Sequence, residues 1–169
     1  LIHGWLRDFS GCSLREENGV TALRSLQNSP LCFGCGKQND AGLRLDFAQG
    51  EDGRLETRFT PREIHGGWEG VFHGGLMATL LDEAMLAYLY MNGIHAATAS
   101  LEVRYRQPAR IGEELQVRAW ETDRARRRIS MAAEALREGR VVASATAKCL
   151  VVPEAADESS GSKERKPPE

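Results

Sequence analysis

Residues 74–92, "GGLMATLLDEAMLAYLYMN", constrain this chain more than any other segment. They lack two-residue alternation and are rich in Leu, Met and Ala, which favour helix. Nineteen residues at 1.5 Å each predict a rod of roughly 28 Å. The rod is apolar nearly all round, so it must be covered on most sides. A membrane span is the competing solution. Asp82 and Glu83 near the centre oppose it by several kcal/mol. The remaining solution is one central helix wrapped by the rest of the domain. A question follows from it, because an ionised carboxylate in apolar surroundings is costly unless something pairs with it or uses it.

The flanking sequence alternates. "GLRLDF" puts Leu43, Leu45 and Phe47 on one face, and "GRLETRF" does the same with Leu55, Thr57 and Phe59. After the helix, "ASLEVRYRQ" sets Leu101, Val103 and Tyr105 against Glu102, Arg104 and Arg106. "EELQVRAWE", "RRISMAAEAL" and "RVVASATAKCLVV" keep the same period. Such runs read as half-buried antiparallel strands, with turns at "DRAR" (123–126) and "REGR" (137–140). The fold class is therefore α+β: an antiparallel sheet of about six strands around one long helix, two strands before it and four after. The domain is expected over 31–153. Residues 1–30 form an extension in which "REENGVTALRSLQ" is compatible with a short helix, Val20, Leu23 and Leu26 on one face. Residues 154–169 are polar and lack aromatics, the composition of a disordered tail.

A net charge of −2 argues against a general nucleic-acid binder, and no run is long and apolar enough for a signal peptide or a span. A soluble, cytoplasmic protein is the expectation. Four cysteines are too few for a disulfide scaffold. "CFGC" at 32–35 is half of a zinc knuckle, but Cys12 and Cys149 stand alone and no H-x₃₋₅-H follows. Two reduced thiols in a tight turn are expected there, with no metal and no cofactor. Neither a G-x-S-x-G elbow nor a phosphate-binding glycine loop occurs.

"HGGLMATLLDE" resembles the H-G-G-x-x-x-x-L-x-D signature of PaaI-type acyl-CoA thioesterases, hotdog-fold proteins of the 4-hydroxybenzoyl-CoA thioesterase superfamily. "ATASLEVRYRQPARIGEELQVRA" resembles their next two strands, and "CFGCGKQNDAGLRLDF" the start of one subgroup. The resemblance spans about 31–152. It implies hydrolysis of acyl-CoA thioesters by a homodimer or dimer of dimers, with the site at a subunit interface. It also singles out Gly74 as the backbone donor to the oxyanion.

The chemistry can be read beside the resemblance. The opening amides of a helix lack internal acceptors and sit at the positive end of its dipole, which suits a developing oxyanion. Gly74 and Gly75 leave them open to substrate. Asp82 is the candidate base or nucleophile, against the plain reading of a core acid satisfied by Ser, Thr or Arg groups. Eight residues of helix separate it from Gly74, about 12 Å, so one carbonyl cannot touch both within one chain. Glu83 points about 100° away and reads as a structural acid. His73 either bonds the thioester or caps the helix. Some relatives carry an Asn where this chain has Gly67; His65 or Glu69 is the candidate replacement. A metal held by His65, His73 and Asp82 matches no standard zinc spacing. Thr98 aligns with a hydroxyl residue of some relatives, although strand parity sets it with Glu102 and Arg104, opposite Leu101 and Val103. Trp68, Met77, Leu81, Met85 and Tyr88 are candidates for the acyl tunnel. Arg104, Arg106, Arg110 and the arginines of "DRARRRIS" are candidates for coenzyme A phosphates, against the plain reading of a solvated charged surface. The rival functions are an enoyl-thioester hydratase on the same fold and a non-catalytic acyl-CoA-binding module. Trp68 stands where the hydratase pattern has an acid.

Overall fold

The computed structural model describes residues 29–152. The helix reading of 15–27, the tail reading of 154–169 and Cys12 lie outside the described residues. Two strands, β1 (Ala48–Gln49) and β2 (Leu55–Phe59), precede helix α1 (Gly74–Met91). Four follow: β3 (Ala96–Tyr105), β4 (Leu115–Ala125), β5 (Arg128–Arg137) and β6 (Arg140–Val151). They form one antiparallel sheet in the order β1-β2-β4-β5-β6-β3, and α1 packs across β2 to β6.

The helix ends for local reasons. Asn92 closes it and Gly93 follows at φ 73°, a conformation glycine adopts without steric penalty. The Ile94 amide donates to Leu89 O and the Gly93 amide to Tyr90 O, both at 2.9 Å, which satisfies two terminal carbonyls. Its core face is Met77, Leu80, Leu81, Ala84 and Met85, all buried. The sheet meets it with small side chains, Ala133, Ala135, Ala143, Ala145 and Ala147, also buried. Alanines on β5 and β6 let a helix of large residues settle close to the sheet.

Two strand readings need correction. Leu43, Leu45 and Phe47 are buried in alternation as the pattern implies, but they make no ladder, and strand pairing begins only at Ala48. Arg44 at φ 54° interrupts the extended chain. The first hairpin of the meander turns at Arg126–Arg127 rather than 123–126, because Asp123, Arg124 and Ala125 stay in register with β5. The second turn falls at Glu138–Gly139, both with positive φ, as "REGR" predicts.

Strand β3 is the outer strand at one side of the sheet. Its expected half-burial is not met in the single chain: Leu101 is 37% and Tyr105 55% exposed. The alternation is present, but α1 covers its apolar side only in part: Val103 is half-buried against the core, while Leu101 and Tyr105 stay exposed.

Candidate active site

The start of α1 is built by His73. Its ring nitrogen Nδ1 accepts from the Gly75 amide at 2.9 Å, so the histidine is the N-cap. That bond occupies Gly75 and removes it from the available oxyanion donors. The Gly74 amide finds no acceptor among the described residues, and Gly74 is exposed. Its carbonyl accepts from Tyr105 Oη at 2.8 Å. Tyr105 therefore fixes the helix start from β3, a role that the sequence analysis did not assign to it.

Two turns along, Asp82 is half-buried and its Oδ1 accepts from Thr98 Oγ1 at 2.7 Å. Burial raises the Asp82 pKa above the usual carboxylate range, and the threonine bond works against that. Parity in a regular strand would point Thr98 away from the helix. A bulge between Thr98 and Ser100 reverses it: Thr98 lies opposite Cys149, and Leu101, Val103 and Tyr105 lie opposite Ala147, Ala145 and Ala143. Thr98 thus shares the helix-facing side with Leu101 and Val103, and the parity expectation is corrected.

Glu83 turns to the other flank of α1, beneath the "CFGC" turn. Cys32 Sγ lies 3.8 Å from Glu83 Oε1. Burial, the largest influence, pushes the Glu83 carboxyl up to about 7. The hydrogen bond from Cys35 brings the Cys32 thiol down to about 5 and drives the Cys35 thiol upward. Cys32, Cys35 and Cys149 form no disulfide.

Several candidates fall elsewhere. His65 is 1% exposed, its ring 5.4 Å from that of Phe59 and 6.5 Å from that of Phe72. Its Nδ1 accepts from the Arg62 amide at 3.1 Å, and its pKa is lowered, first by burial and then by the Arg62 charge. Those contacts make it a core part of the loop before the helix, with no surface for substrate. Met77, Leu81 and Met85 are corrected likewise: they repeat every four residues on the face turned to the sheet, so within one chain they are core and not tunnel. The face that carries Asp82 includes Thr79 and Leu86, both half-buried. Trp68 is 85% exposed, Glu69 is exposed and Tyr88 is half-buried. Arg104 and Arg106 are exposed, and Arg104 pairs with Glu102 at 3.0 Å on the side of β3 away from the helix. A cleft of about 620 Å³ lies among Arg58, Arg110, Glu113, Glu114 and Arg137. Its acids already pair with its arginines, Arg58 with Glu114 at 2.6 Å and Arg137 with Glu113 at 2.9 Å. No helix among the described residues is long and apolar enough to cross a membrane.

Residues 69–144, from the loop before α1 into β6, match the family model of the thioesterase superfamily. The match covers less than half of the chain, and over that segment the chain is similar to the thioesterase superfamily. Its six-stranded antiparallel sheet around one main helix is the hotdog fold of that superfamily. One solved thioesterase superfamily protein is 25% identical with a TM-score of 0.63; the likeness covers 67% of this chain but only 59% of that one. A phenylacetic acid degradation-related protein from Ralstonia eutropha JMP134 is 25% identical, TM-score 0.59, over 64% of this chain and 86% of its own. A Bacillus halodurans protein crystallised with CoA is 27% identical, TM-score 0.60, over 67% and 77%. No curated protein sequence matches this chain.

Proposed function

We propose that this chain hydrolyses acyl-CoA thioesters to the free acid and coenzyme A, as a homodimer in which Asp82 of one subunit works with the Gly74 amide of the other. The observation that carries the reading is the half-buried Asp82 carboxylate held by Thr98 at 2.7 Å on the flank of α1 beside the open edge of the sheet. A relative that binds CoA supports the substrate class.

In the proposed reaction water attacks the thioester carbonyl carbon while Asp82 takes its proton. The charge that develops on the carbonyl oxygen is held by the exposed Gly74 amide, which has no acceptor among the described residues. The intermediate then expels the sulfur of coenzyme A, which leaves as the thiol once the proton is returned. Direct attack by Asp82 would give a mixed anhydride that water opens, with the same overall balance. Both routes need the ionised carboxylate, which Thr98 favours and burial opposes. Distance and surface support the dimer. Eight residues of helix, about 12 Å, separate Gly74 from Asp82. Strand β3 offers a free edge with Leu101 and Tyr105 exposed.

The test is release of free thiol from short, medium, long and aryl acyl-CoAs by wild type and Asp82→Asn. Turnover that collapses in the variant supports the reading; no turnover with any member overturns it. Gly74→Pro deletes the amide at the first helical position, where proline fits. Each variant alone should be inactive. Refolding them as an equal mixture should restore about a quarter of wild-type activity, since half the dimers then hold one intact site of two. No recovery would show that the site is not shared.

A further inference from the structure

The C-x-x-C turn lacked a partner in the sequence because its partner lies on the helix. Cys32 and Cys35 occupy a tight turn in which the Gly36 amide donates to Cys32 O at 3.0 Å and the Gln38 amide to Pro30 O at 2.8 Å. Glu83 reaches the same point from α1, and the ligating atoms of Cys32, Cys35 and Glu83 all lie within 4.8 Å of one another. Zinc bonds of about 2.3 Å to sulfur and 2.0 Å to oxygen put neighbouring tetrahedral ligands roughly 3.5–3.8 Å apart. The 3.8 Å between Cys32 Sγ and Glu83 Oε1 is already such an edge.

The surroundings fit the same use. A Cβ on Gly34 would stand 2.6 Å from Glu83 Oε2, and one on Gly36 would collide with the Cys32 backbone. Both glycines let the turn close down over the carboxylate. Cys35 is 1% exposed and Cys32 is half-buried, which leaves an approach from the Cys32 side. No Lys or Arg side chain pairs with Glu83 among the described residues. Soft sulfur ligands select zinc over magnesium or calcium.

We propose that Cys32, Cys35 and Glu83 hold one thiophilic divalent cation of the zinc class, with water in the fourth position. The ion ties the turn before the first strand to α1, one residue from Asp82. The assignment does not depend on thioester hydrolysis, and its test does not use activity.

The full chain, freed of metal by a chelator and reduced with a phosphine, is titrated with cobalt(II). The expected result is one equivalent bound, with a thiolate-to-cobalt charge-transfer band that one equivalent of zinc displaces. Cys32→Ser should diminish the band, and Glu83→Gln should weaken cobalt at least about tenfold. Cys12→Ser and Cys149→Ser should leave stoichiometry and band unchanged. A folded, fully reduced wild type that takes up no cobalt overturns the proposal, including the case in which the thiols merely close to a disulfide in air. A band undiminished in Cys32→Ser overturns it as well.

Discussion

Asp82 and Glu83 are neighbours in the chain and stand on opposite flanks of α1. Burial is the largest influence on both and pushes both upward. Their partners differ. Asp82 has one hydroxyl, Thr98, on the outer strand of the sheet. Glu83 has two thiols in a turn folded down over it. The first flank opens to the sheet edge and the second is roofed by backbone. Two carboxylates in the most apolar segment thus meet separate surroundings, and the two proposals give them separate chemistries: Asp82 to act on a visiting molecule, Glu83 to hold something in place.

The comparison can be broken most directly at Asp82. Asp82→Asn should lower acyl-CoA hydrolysis by at least about 100-fold while the circular dichroism stays native. Equal loss of helix signal would mean that this acid, too, is structural. Thr98→Ala should cost about tenfold in kcat/KM, the order of one hydrogen bond to a charged group. It should also move the acid limb of the rate profile to higher pH, because the bond that lowers the Asp82 pKa is gone and burial remains. An unmoved limb would sever Thr98 from the chemistry. On the other flank, Gly34→Ala should destabilise the fold by about 1–3 kcal/mol, read as a lower urea midpoint, because its methyl meets the Glu83 carboxylate. No shift would mean that the turn is not pressed on the helix. Tyr105→Phe deletes the bond to Gly74 O and should cost about 1 kcal/mol in stability.

The smallest effect is expected at His65, which belongs to neither flank. Its folded pKa lies below the ordinary 6.5, so the neutral form is favoured in the fold. That contribution is present above pH 6.5 and is lost as pH falls from there toward the folded value, where the unfolded chain binds the proton first. In His65→Gln the urea midpoint should depend less on pH across that window.

The architecture was legible because its signals are local. Alternation over five to twelve residues marks β2 to β6, and the long apolar run without alternation marks α1. The site was legible only where one motif holds its parts, as "HGG" holds the cap and the open amide. The side of α1 that meets the sheet is a tertiary fact, so Met77, Leu81 and Met85 were candidates for a tunnel until the sheet was seen against them. The third group beside Cys32 and Cys35 is 51 residues beyond Cys32, and no spacing rule reaches that far. His65 looked chemical because histidine often is; only its aromatic neighbours show a core residue.

The bulge in β3 bears on how this protein can change over time. One unpaired residue, Ala99, shifts the phase of the strand between Thr98 and Ser100. Its identity contributes little, so exchanges of Ala99 should be tolerated. Its presence decides which way Thr98 faces relative to all that follows. Loss of that single codon would leave each surviving residue unaltered and still turn the threonine outward or the rest of the strand inside out. At this place the gene is constrained in length far more than in letters.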